Sequence, residues 1–177
     1  MTFLVVFART LLGVVFALAL AGKLRNRRSF TQFAASLHEI GWLPGPARAA
    51  APFAVVAVEG VSVLLLAVPA TVPAGFVLAL LTLAAFTASV GWSLRQGQTV
   101  RCQCFGTDSG PMGASQVARN CVLLAVAAAG LLACLAGPSS AAPAGIAVAA
   151  AGGAVSAVLV VRWDDLRFVF SPSTAGR

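Results

Sequence analysis

Apolar residues in this chain come in long unbroken blocks. Five runs stand out: Phe3 to Ala21, about Ala49 to Val68, Pro73 to about Leu94, about Val117 to Ala136, and Pro143 to Val161. Each approaches the roughly 20 residues that an α-helix needs to cross the hydrocarbon core of a bilayer. Inside a bilayer the backbone must satisfy its own polar groups, so such runs are predicted to be helical. The pattern predicts an all-α transmembrane helix bundle of about five spans, a four-helix core plus one. A single unit over residues 1–163 is expected, followed by a short tail at 164–177.

One stretch has a different rhythm. In SFTQFAASLHEIG, residues 29–41, Phe30, Phe33, Leu37 and Ile40 recur at helical spacing, while Gln32, Ser36 and Glu39 fall on other faces. It is too short to span. Two readings are open: an amphipathic helix lying at the membrane interface, or a helix packed between two spans. Ser29 is its expected N-cap. His38, the only histidine, lies here and reads as an interfacial polar residue.

The connections between runs differ in charge. Residues 69–73 and 137–143 are short and uncharged. Residues 23–48 carry Lys23, Arg25, Arg27, Arg28 and Arg48; residues 94–119 carry Arg95, Arg101 and Arg119; the tail adds Arg162, Arg167 and Arg177. With five spans, these eleven of the twelve basic residues fall on one side. The positive-inside rule makes that side the cytoplasm, with the N-terminus outside and the C-terminus inside. Trp42, Trp92 and Trp163 would sit near the same interface, where Trp is enriched. Ala17-Leu-Ala19 has the look of a signal-peptide cleavage site, but the basic cluster follows the first run instead of preceding it, so that run is expected to be retained.

Composition supports the membrane reading. Of the 177 residues, 59% are hydrophobic and 10% charged, against about a quarter charged in soluble domains. The net charge of +7 follows membrane orientation and forms no basic stripe with interleaved aromatics, which argues against nucleic-acid binding.

Two charges fall inside spans. Glu59 lies in the middle of the second run and Arg9 within the first. A charge at the bilayer centre costs roughly 2.5–3.5 kcal/mol on insertion scales, so a partner is expected. Counting helical rise from the ends of the two runs puts Arg9 and Glu59 within reach of each other, and an Arg9–Glu59 pair is expected. A protonated Glu59 bonded to a neighbouring helix, or a proton or substrate role, are the alternatives. The small residues of AAAGGAVSA, 149–157, predict close helix packing. PAGF at 73 and PAGI at 143 form a weak internal similarity, since Pro and Gly are common at helix starts.

The chemistry of the chain rests on its four cysteines, Cys102, Cys104, Cys121 and Cys134. Cys121 and Cys134 are about 19 Å apart along one helix, too far for a disulfide, and each reads as a small buried hydrophobe. Cys102 and Cys104 form the only local pair. Three readings are open. As a redox pair they would close a very small, strained ring, beside an Arg101 that favours thiolate. Zinc would want four ligands, and only these thiols, Cys121 and His38 are at hand; copper(I) needs only two soft thiolates. Two inert thiols are the third reading. Gly106, Gly110, Pro111 and Gly113 make the following segment turn-rich, and Ser115 is the expected cap of the fourth span.

CQCFG at 102–106, followed by ARN at 118–120 opening an apolar helix, resembles the methylamine utilisation protein MauE family, which is itself DoxX-like. KLRNRRSF at 23–30, GWLPG at 41–45 and Glu59 inside the second span fit as well, so the resemblance runs from about Arg9 to Leu124. It implies a multi-pass bacterial inner-membrane protein linked to processing, transport or maturation of the methylamine dehydrogenase β-subunit, a disulfide-rich client that acts outside the cytoplasm. It also implies a thioredoxin-like partner. On this reading Cys102 and Cys104 exchange disulfides, Phe105 and Gly106 shape their turn, and Arg119 and Asn120 open the next helix. Glu59 with Arg9 or Lys23 organises the bundle or relays protons. The second hypothesis is a non-enzymatic transporter or assembly factor with structural or copper-binding cysteines. A third, by DoxX-like analogy alone, is a quinone-linked oxidoreductase subunit. The charge rule and the redox role prefer opposite faces of the membrane.

Overall fold

A computed structural model describes residues 2–38, 45–96, 114–137 and 142–162. Among the described residues there are six α-helices: α1 (Thr2–Leu24), α2 (Arg27–His38), α3 (Gly45–Ala67), α4 (Val72–Arg95), α5 (Ala114–Leu135) and α6 (Pro143–Val161), with a 3-10 turn at Pro69–Thr71. All but α2 are long and apolar enough to cross a membrane. The five predicted spans therefore stand, each within a few residues of its expected bounds. The tail at 164–177, Trp42 and Trp163 lie outside the described residues.

The helices α1, α3, α4 and α5 form a four-helix ring in which each packs against its neighbours, and α6 leans on α1 from outside. The ring closes around Ala8, Leu12, Phe16, Leu66, Phe76, Ala79, Leu123 and Ala127. Outside, Phe53, Leu64, Leu81, Leu132, Leu135 and Val148 are exposed. Exposed apolar patches of this extent are rare on soluble monomers, and here they form the face that meets lipid. The molecule is an all-α transmembrane bundle.

Small residues set the helix spacing, as expected for a membrane bundle. A Cβ on Gly153 would lie 2.6 Å from the backbone oxygen of Phe7, so α6 approaches α1 backbone to backbone. Ala157, one turn further, is fully buried. Gly130 accepts the ring of Phe76 where its own side chain would stand. The two PAG segments repeat this use: Gly75 lies against Leu66 and Gly145 against Phe3.

Because the helices alternate in direction, the end of α1, the start of α3, the end of α4, the start of α5 and the end of α6 share one end of the bundle. Lys23, Arg25, Arg27, Arg28, Arg48, Arg95, Arg119 and Arg162 all lie there. Arg9 is the one described cation toward the other end.

Two expected caps are corrected. The helix at 29–41 begins earlier, at Arg27, and Asn26 caps it: the Ser29 backbone N–H donates to Asn26 Oδ1 at 2.7 Å. Ser29 is already inside the first turn. Ser115 likewise lies within α5, which starts at Ala114, and is not its cap.

Candidate functional site

The site grows from the joint between α1 and α2. Helix α1 ends at Leu24, Asn26 starts α2, and the chain turns back so that α2 packs against both α1 and α3. Helical spacing puts Phe33 and Leu37 on one face, where both are buried, with Ala51, Val55 and Val56 of α3 packed against them. Ser36 is buried among them despite its polarity, since its hydroxyl donates to the Phe33 carbonyl at 2.8 Å. Of the two readings of this stretch, the packed one is what the structure shows: one side of α2 lies on α1 and α3, and Arg27, Arg28, Thr31, Gln32 and Ala35 are exposed on the other.

Beneath α2, the Lys23 ammonium donates to Glu59 Oε1 at 2.5 Å, and both side chains are almost wholly buried. The ammonium also lies 5.0 Å from the centre of the Phe33 ring, within cation–π range. Taking two ions out of water costs several kcal/mol each, and only close pairing with further contacts offsets it. Glu59 Oε2 is buried and has no hydrogen-bond partner among the described residues. Ser62, one turn further along α3 and fully buried, spends its proton on the Val58 carbonyl at 2.8 Å. The arrangement offers a carboxylate oxygen that can accept one more hydrogen bond or a proton, next to a fixed ammonium and away from water.

The expected Arg9–Glu59 pair is therefore corrected to Lys23–Glu59. Lys23 is buried and level with Glu59. Arg9 lies fourteen residues back along α1, about 21 Å away along the axis, out of reach of Glu59. Its guanidinium donates instead to the Ala67 carbonyl, 3.1 Å away, at the C-terminal end of α3. A cation suits the partial negative charge of a helix C-terminus. The signal for Lys23 was in the sequence, as the only lysine of the chain at the end of a span. It was the second candidate partner of Glu59, after Arg9; what decides for it is the folding back of α2, which turns a helix end into an interior.

At the start of α5, Arg119 is buried and Asn120 half-buried. Cys102, Cys104, Phe105 and Gly106 lie outside the described residues. The connection that holds them runs from Gln96 to Ala114, so it springs from the end of the bundle where α3 begins, while Glu59 lies fourteen residues further along α3, about 21 Å deeper. Cys121 and Cys134 are unbridged, as their spacing requires; Cys134 is half-buried against the core, near the expected small hydrophobe, whereas Cys121 is exposed. Among the described residues no group of three His, Cys, Asp or Glu side chains stands close enough to hold a metal. A shallow apolar groove along α4, lined by Ala85, Ala88, Ser89 and Trp92, opens near the same end.

The methylamine utilisation protein MauE family matches this chain over residues 1–133. The match takes in the four-helix ring to the last turn of α5, the α1–α2 joint, the Lys23–Glu59 pair and the Cys102-Gln-Cys104 connection, and leaves α6 outside. Comparison with curated proteins and with solved structures gives no match. Matched over most of its length and built as a multi-pass membrane bundle, the chain belongs to the methylamine utilisation protein MauE family.

Proposed function

We propose that this protein serves the maturation of an exported, disulfide-containing client, the methylamine dehydrogenase β-subunit or a similar protein, by thiol–disulfide exchange at Cys102 and Cys104. The observation that carries the reading is the Cys102-Gln-Cys104-Phe105-Gly106 segment inside the region matched to the MauE family. One thiolate of the pair attacks a sulfur of the partner's disulfide; a mixed disulfide forms and the partner's other sulfur leaves as thiolate. The second cysteine then attacks the mixed disulfide and releases the partner as a dithiol. The electron pair has passed to the partner, and Cys102 and Cys104 are left oxidised. A thioredoxin-like protein returns them to the dithiol by the same exchange in reverse. Reduction of a disulfide to two thiols takes up two protons. The Lys23–Glu59 pair, whose Oε2 has no other partner among the described residues, is suited to holding one of them deeper in the bundle.

We infer a bacterial inner membrane, and the charge asymmetry supports an orientation with the basic end in the cytoplasm. The exported client is then on the opposite face, so the exchange must either cross the bundle or take place with the connection folded into it.

Replacing both Cys102 and Cys104 by Ser is expected to stop client maturation while leaving the bundle assembled. Normal disulfides in the client of the double variant would end the exchange reading and leave the assembly-factor one. A membrane-impermeant thiol reagent, applied to intact cells and to inverted vesicles before and after reduction, reads the side and the oxidation state together. Labelling from inverted vesicles is expected; labelling only on intact cells would reverse the orientation.

A further inference from the structure

The pairing of Lys23 with Glu59 removes one charge of each sign from the molecular surface. Glu59 is the one acidic residue among the described residues, and it is buried. What remains on the described surface of this end is arginine. Arg25, Arg27 and Arg28 fall within four consecutive residues at the α1–α2 joint and are all exposed. Helix α2 has no acidic residue in its first turn to offset them. Three neighbouring guanidiniums repel one another, and no carboxylate on the described surface screens them.

Their depth is set by the aromatic residues beside them. Arg27 and Phe30 are three residues apart on α2 and so share a face. The Phe30 ring packs on Phe53 of α3, with centres 5.3 Å apart, and Phe53 is 66% exposed on the lipid-facing side of a span. A half-buried Phe30 on an exposed Phe53, with the exposed Arg27 one turn away on α2, is a combination of groups met at the boundary of acyl chains and headgroups.

We propose that Arg25, Arg27 and Arg28 bind the headgroups of anionic phospholipid, and that this lipid holds α2 down over the Lys23–Glu59 pair. The guanidiniums take phosphate oxygens through paired N–H donors. Phe30 and Phe53 lie against the first part of the acyl chains. Since Phe33 of the same helix covers Lys23, seating α2 keeps water from the ion pair. Lipid composition thereby controls access to the carboxylate.

The test uses the full chain in nanodiscs of phosphatidylcholine, with and without phosphatidylglycerol, and reads backbone amide exchange over Thr31–Leu37. Phosphatidylglycerol is expected to slow exchange by on the order of fivefold for each arginine engaged, and added salt to weaken the effect. The triple variant Arg25→Gln/Arg27→Gln/Arg28→Gln should lose the response and the triple Arg→Lys variant should keep most of it. Should the triple glutamine variant fail to assemble, Arg27→Gln and Arg28→Gln singly carry the same expectation at a smaller size. Inorganic phosphate added to phosphatidylcholine nanodiscs should leave exchange unchanged. Equal exchange in both lipids, a response that survives loss of the arginines, or an equal response to free phosphate would each overturn the proposal.

Discussion

Helix α1 carries two cations inside the fold, and the bundle treats them in opposite ways. Lys23 is 1% exposed, paired with a carboxylate and roofed by an aromatic ring. Arg9 is half-buried and spends its guanidinium on a single backbone carbonyl at the end of α3. The difference is in what surrounds each. At the Arg9 end the chain makes a tight corner through Pro69–Thr71, which leaves terminal carbonyls of α3 open to a donor. Thr71 takes up another of them, donating to the Leu65 carbonyl at 2.9 Å. At the Lys23 end an extra helix folds back and seals the space. The first cation closes a helix end, and the second neutralises a charge that sits deep in α3.

Removing Lys23 should have the largest effect. Lys23→Met leaves Glu59 ionised or protonated without its partner in a dry site, and stripping one member of a buried pair costs about 3–5 kcal/mol. Reversible unfolding in mixed micelles should show that loss. The double variant Lys23→Met/Glu59→Leu should recover most of it, because no buried charge remains. A double variant as unstable as the single one would mean that the ion pair is not what holds α1 to α3. Phe33→Ala comes next: it opens a cavity worth about 3 kcal/mol in a well-packed site and uncovers Lys23. Amide exchange should quicken across α2 while that of the α3 C-terminal turn stays as it was. A change at both ends would show that they are coupled.

How far the sequence carries the fold follows from the same contrast. Runs of about 20 apolar residues translate directly into spans, because nothing else satisfies the backbone in lipid, and α6 even keeps its expected limits, Pro143–Val161. The MauE resemblance was legible in CQCFG, ARN and Glu59. The partner of Glu59 was legible only as a choice of two, Arg9 or Lys23, with Arg9 the expected pair. Choosing between Arg9 and Lys23 depends on the relative depth of two antiparallel helices, and on whether a helix end is open to water. Both are tertiary facts. The burial of Lys23 needs α2 in place, and the period of α2 was visible without its docking site. The start of α2 turned on a finer point: Ser29 and Asn26 are both good caps, and the structure uses the one that lets Arg27 begin the helix.

Arg9→Met is the milder test of the other end. It removes one charge-assisted hydrogen bond from a half-buried position, and a loss of about 1 kcal/mol is expected. The effect should be confined to faster exchange around Pro69–Thr71, with the Lys23–Glu59 end unchanged. Arg9→Lys should restore part of it, since a lysine can also donate to a terminal carbonyl.

The smallest effect should come from Asn26→Ala, which acts at the turn that sets the Lys23 end apart from the Arg9 end. Its side chain takes the Ser29 N–H and its backbone carbonyl takes the Phe30 N–H at 3.2 Å, so one residue both ends the turn from α1 and begins α2. Losing the side-chain cap costs about 1 kcal/mol. Phe33 and Leu37 would still hold the middle of α2 against α3, so the loss should appear as fraying of the first turn, with exchange quickened at Ser29 and Phe30 but not at Phe33. Asn26→Ser, another capping residue, should restore most of the protection. If fraying instead spreads to Phe33, then the cap, and not the apolar face, decides whether α2 closes over the ion pair, and the contrast between the two ends of α1 reduces to one hydrogen bond.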